Sequence, residues 1–133
     1  MRYHVLLAGI FFLLASPYLE AQTTITVGAG GGYDHPTIQA AIDASTSGDT
    51  VIVYPGIYLG SIHFRGKNIV LRSTDPADTA TVAASIIDGG GIDTVVFFAG
   101  SETGACVLSG FTIRRGDPEA GGRRSSGGAI QGN

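Results

Sequence analysis

The chain has 133 residues, with 8 Lys+Arg against 11 Asp+Glu and a formal net charge of −3. That mildly acidic balance provides no broad basic field and argues against nucleic acid as a partner. Glycine is abundant, at 21 residues, but no Gly-X-Y period accompanies it, so a collagen is excluded.

Residues 1–21 read as a signal peptide. Arg2 and His4 precede an apolar run from Val5 to Ala15, Ser16-Pro17 breaks it, and Leu19-Glu20-Ala21 supplies a small residue before a cut ahead of Gln22. The apolar run is about 11 residues, too short to span a bilayer. Its removal takes away Arg2 and Glu20 and leaves the net charge unchanged. The rest of the chain is expected to be exported, to the periplasm or beyond, with no membrane span.

From Gln22 to Val27 an alternation of Thr with Ile and Val marks a first short strand, and Gly28–Gly32 reads as a flexible link. The spacing of Gly28, Gly30 and Tyr33 is not a dinucleotide fingerprint, because the third glycine is missing. Ile38, Ala41, Ile42 and Ser45 then recur at i, i+3, i+4 and i+7, which predicts a helix with one narrow apolar face. Pro36 suits its first position, Asp34 or His35 its cap, and Gly48 its left-handed end.

Short apolar segments follow: Val51–Val53, Ser61–Phe64, Ile69–Leu71, Ser85–Ile87, Thr94–Phe98, Cys106–Leu108 and Phe111–Ile113. Between them stand turn signals such as Pro55-Gly56, Arg65–Asn68, Asp75-Pro76 and Asp88–Gly91. Thr79, Thr81 and Val82 oppose a second helix over the alanines of 77–84. The runs are near-continuously apolar, as in parallel sheets, and Trp is absent, so a solenoid is favoured over a sandwich. A helix placed first would cap its open end.

Thr37-Ile38-Gln39-Ala40-Ala41-Ile42, Gly48-Asp49-Thr50-Val51 and Pro55-Gly56-Ile57-Tyr58 together resemble the opening of right-handed parallel β-helix proteins, the superfamily of pectate lyases and pectin methylesterases. The match covers about residues 25–73, and Leu108–Ile113 resembles the Gly-Phe-Thr-Ile strand of bacterial β-helix repeats. The resemblance implies an all-β fold, a right-handed parallel β-helix with an N-terminal capping α-helix, over residues 22–133. Gly127–Ile130 resembles the start of another coil and nothing resembles a C-terminal cap. The chain is therefore expected to stop inside the solenoid, as a fragment whose last coil needs further coils or a partner to cover an exposed parallel edge.

The resemblance carries no catalytic residue into this stretch. Gly60 stands where pectin methylesterases have the Glu of Gly-x-Tyr-x-Glu, and their catalytic aspartates lie in later coils. Lyases of this fold use Ca²⁺, so the resemblance allows Ca²⁺ in a longer protein. Asp88 and Asp93 flank Gly89–Ile92, but two carboxylates fall short of the six to eight oxygens of a Ca²⁺ site, and Asp88 reads better as a turn residue, as does Asp49. His35 and His63 have no nucleophile at a recognisable spacing, and His63 reads as outward-facing on a strand. Cys106, the one cysteine, cannot form an intrachain disulfide and reads as a small core residue. Arg114, Arg115, Arg123 and Arg124 form a basic cluster that reads as a solvated loop, with contact to an acidic polysaccharide as the sharper alternative. Arg115-Gly116-Asp117 matches the tripeptide read by integrins, at a length where chance matches are common.

Two functions follow: an exported repeat scaffold that binds extracellular carbohydrate or a surface partner, or the N-terminal part of a polysaccharide lyase or carbohydrate esterase whose catalytic coils lie beyond Asn133.

Overall fold

The computed structural model describes residues 21–92 and 94–117, and the backbone of residues 130 and 131. The expected signal peptide, Ala21 apart, and the expected Arg123 and Arg124 lie outside the described residues.

Strand β1 (Thr24–Val27) alternates in burial, with Ile25 and Val27 turned inward. The helix α1 spans Ile38–Ala44 and buries Ile38, Ala41 and Ile42, the face its periodicity marks. Its N-cap is Thr37, in extended conformation, whose side chain accepts from the Ala40 N–H at 3.2 Å. Pro36 therefore precedes the cap. Neither Asp34 nor His35 caps the helix: the Asp34 carboxylate is taken by Thr26, and His35 pairs with β1 through its backbone. At the other end Ser45 closes α1, donating its N–H to the Ala41 carbonyl and its hydroxyl to that of Ile42. Gly48 does take a left-handed φ of 101°, but in the turn beyond, where its N–H donates to the Asn68 carbonyl at 2.8 Å. The Lys67 ammonium donates to the carbonyls of Ile42, Asp43 and Ser45 at 2.7–2.9 Å, placing a cation on the negative end of the helix.

The strands that follow are β2 (Thr50–Val53), β3 (Gly56–Leu59), β4 (Ile62–His63) and β5 (Val70–Ser73). After a second helix, α2 (Thr79–Ala84), come β6 (Ser85–Asp88), β7 (Val96–Phe97), β8 (Val107–Ser109), β9 (Thr112–Arg114) and β10 (Ile130–Gln131). Two elements differ from the sequence expectation. Gly56 starts a strand rather than completing a turn, since Ile57 and Tyr58 pair with Ile86 and Ile87. Helix α2 forms despite its β-branched residues because Asp78 caps it, accepting from both the N–H and the hydroxyl of Thr81 at 2.9 and 2.6 Å. Capping outweighs the small propensity cost of Thr and Val.

Every strand pairing is parallel, and the strands form three sheets ordered β1-β2-β5-β8, β3-β6-β9 and β4-β7-β10. From β2 onward the chain visits the three sheets in the same order on each of three passes. Among the described residues the architecture is thus mostly sheet, with parallel strands and two short helices. Register places like on like: Ile25, Val51, Leu71 and Leu108 form one column, and Tyr58, Ile87 and Ile113 another. Beside them the rings of Phe64 and Phe98 stack at 4.9 Å, Phe64 being fully buried. Cys106 is only half-buried, packed against this core rather than inside it. Ser73 follows Val53 in an inward column, and its buried hydroxyl has no hydrogen-bond partner among the described residues.

Two of the first edges are closed by imitation of a strand. In the β1 edge, Asp34 accepts from the Thr26 N–H and hydroxyl, both at 2.8 Å, while His35 donates to the Thr26 carbonyl and accepts from the Gly28 N–H. The Gly28–Gly32 stretch is thus a turn that returns His35 to β1, with the Tyr33 ring so close over Gly28 that a Cβ there would collide with it. On the β4 edge the Gln39 carboxamide accepts from the His63 N–H at 2.8 Å and donates to the His63 carbonyl at 3.2 Å. One side chain thereby replaces a neighbouring strand.

Urea denaturation should separate two core variants. Phe64→Ala, which opens a cavity beneath Phe98, is expected to cost about 3–5 kcal/mol. Ser73→Ala, which removes an unpartnered buried hydroxyl, is expected to raise stability by about 1 kcal/mol.

Candidate functional site

Two clusters of polar and aromatic side chains lie on the outward faces of the sheets. The first is centred on Asp88, at the end of β6, where register sets Leu59 and Arg114 on either side of it. Its carboxylate is fully buried. It accepts from Arg114 Nε at 2.8 Å, from Arg115 Nε and a terminal nitrogen at 2.7 and 2.8 Å, and from the Gly90 N–H at 3.0 Å. Arg115 reaches it from a left-handed backbone, φ 52°, immediately after β9. The Arg115 guanidinium, against the opposing effect of burial, holds the Asp88 carboxyl far below the usual carboxylate range; Gly90 and Arg114 add to this. Both arginine side chains are about half exposed.

Asp88 accepts a Gly-loop N–H, as its reading as a turn residue expects, and it also holds two arginines of the next pass that the sequence did not connect to it. Arg114 and Arg115, expected in a solvated loop, are instead half-exposed and anchored on Asp88. Sequence proximity could not join them: Asp88 and Arg114 meet only because β6 and β9 pair in this register. The same anchoring commits the arginine of Arg115-Gly116-Asp117 to an internal partner. As a cation loop the site does not fit. Both Asp88 oxygens already accept from guanidinium groups that would repel Ca²⁺, and Asp93 lies outside the described residues. Among the described residues no three His, Cys, Asp or Glu side chains stand together as metal ligands.

The second cluster lies outside β4 and β7. His63, exposed as expected for an outward strand position, stacks on Phe97 with ring centroids 4.3 Å apart and planes within 1°. Together with Arg65, Phe98 and Ala99 they line an open groove of about 270 Å³. Arg65 has a left-handed φ of 55° and pairs with Asp43 at 3.4 Å, both side chains being well exposed. The sequence located His63 but missed the groove, since His63 and Phe97 are neighbours only through the β4–β7 register.

The remaining expectations are structural. Asp49 accepts from the N–H groups of Thr46 and Thr23, which hold its carboxyl below the ordinary range. Burial pushes the Cys106 thiol upward, away from thiolate reactivity. Gly60, standing where esterases carry Glu, serves backbone pairing, its N–H donating to the Asp88 carbonyl at 2.9 Å. Among the described residues no helix is long and apolar enough to cross a membrane. No family model matches the chain, and no curated protein or solved structure matches it either.

The depressed Asp88 carboxyl fixes a pH dependence. Its ionised form stabilises the fold fully above the unfolded value near 4, and that contribution is lost as pH falls below it. Thermal melts from pH 7 to pH 2 should show Asp88→Asn melting below the wild type at pH 7, with the gap narrowing below about pH 4. A gap independent of pH would show that charge at this position does not stabilise the fold.

Proposed function

We propose that the chain belongs to an exported parallel β-helix scaffold that binds extracellular carbohydrate on its lateral face. Three parallel sheets visited in a repeating order, with a helix packed on the starting end, support the β-helix reading and agree with the motif resemblance to the pectate lyase superfamily. The apolar run Val5–Ala15 before Ala21 supports export.

The observation that carries the binding reading is the groove beside His63 and Phe97. It combines aromatic surface, which suits the apolar faces of sugar rings, with the forked donors of Arg65, which suit hydroxyl and carboxylate oxygens. Binding without catalysis is supported by how the carboxylates are used. Asp49 and Asp88, the buried ones among the described residues, are saturated by N–H groups and arginines, so neither is free as base or nucleophile.

On a panel of immobilised glycans, including polygalacturonate and methylated pectin, the purified chain should retain at least one. Phe97→Ala and Arg65→Ala should each weaken that retention about tenfold, or about 1.4 kcal/mol. Binding to no glycan, or binding indifferent to both substitutions, would remove the carbohydrate reading. Release of unsaturated sugars or methanol from pectin would establish catalysis instead.

A further inference from the structure

We propose that the open edge of β3 is a strand-docking site that accepts a short, uncharged, extended segment of a partner polypeptide. Among the described strands, β1, β3 and β4 each stand first in their sheet. The edges of β1 and β4 are sealed by Asp34, His35 and Gln39. Among the described residues no strand covers the β3 edge.

Its polarity follows from the ladder. Gly60 donates its N–H to the Asp88 carbonyl, so by the two-residue period of a strand Gly56 and Tyr58 also face β6. The N–H and C=O groups of Ile57 and Leu59 therefore point away from β6, as the free half of a parallel ladder. Their side chains are exposed by 59% and 76%, the larger value among the highest for any aliphatic residue described. A groove of about 300 Å³ is lined by residues 57–61 of this edge, by Pro36–Gln39 leading into α1, and by the core residues Ile62 and Ile87. Unpaired edges carrying exposed aliphatic residues are what proteins ordinarily blunt with charge, proline or a bulge. Here the two neighbouring edges are blunted and this one is not.

The occupant is limited by charge and by size. None of the residues lining the groove is charged, although the chain carries a net −3, so an uncharged segment matches it and a charged one would be desolvated without a partner. The edge is the length of β3, about 13 Å at the rise of an extended strand. Gln39 blocks its extension towards β4. So short an edge cannot supply the roughly 800 Å² per partner of a stable dimer, which disfavours a second copy of this chain. A peptide of four or five residues fits, with main-chain hydrogen bonds holding it and aliphatic side chains beside Ile57 and Leu59 supplying selectivity. This site is separate from the His63–Phe97 groove and does not depend on the carbohydrate reading.

The test is fluorescence anisotropy of the full chain with a labelled, end-blocked peptide, Ala-Ser-Ile-Ile-Asn-Gly. It repeats the β6 segment that already pairs with β3, with its aspartate made neutral. Saturable binding is expected, weakened at least tenfold by Leu59→Lys and unaffected by Phe97→Ala, with the Leu59→Lys melting temperature unchanged. Absence of saturable binding, or equal binding by Leu59→Lys, overturns the proposal. Self-association of the wild-type chain that Leu59→Lys abolishes also overturns it, because a second copy would then be the occupant.

Discussion

The structure depends on the parallel ladder between successive passes of the chain. Strands as short as Ile62–His63 or Val96–Phe97 carry too few hydrogen bonds to persist alone. They persist because each stands in a column, with pairing above and below and one face turned to a shared interior. Register is therefore the critical variable: a slip of one residue in β2 would turn Val51 and Val53 out and Thr50 and Ile52 in. The inward columns make such a slip costly.

A ladder has ends, and much of the polar chemistry of this chain is spent on them. Asp34, His35 and Gln39 supply donors and acceptors where a preceding strand would have done so, and Lys67 neutralises the carbonyls at the end of α1. On the flank, Glu102 does similar work. Burial pushes its carboxyl up, but the N–H groups of Ala99, Gly66 and Gly100 outweigh that and leave it lowered. The side chains of Asp34, Gln39, Lys67 and Glu102 have the composition of functional residues and the placement of structural ones. The groups with spare capacity are fewer: the outward faces of Arg114 and Arg115, the His63–Phe97 groove, and the backbone of β3.

The elements legible in the sequence are those specified locally. Ile38, Ala41 and Ile42 announce one face of a helix by spacing alone, and Val51–Val53 announces a buried strand by branching and brevity. The errors are also local, and they arise where one hydrogen bond outweighs a propensity. Thr37 rather than Asp34 caps α1, because Asp34 has a stronger claim from the Thr26 N–H and hydroxyl eight residues back. Asp78 turns an alanine-threonine stretch into α2 by a bond to Thr81 that composition does not reveal.

By itself the sequence determined that short apolar strands alternate with Gly- and Asp-rich turns, that one amphipathic helix comes first, and that the charge is mildly acidic. Those properties depend on neighbours a few residues apart. Only the tertiary structure decided that Asp88 meets Arg114 and Arg115, that His63 stacks on Phe97, and that, among the described residues, β3 is the starting strand whose edge is left open. Each of these joins residues from different parts of the chain through strand register. Register is set by the packing of whole columns, to which no single segment of the sequence holds the key.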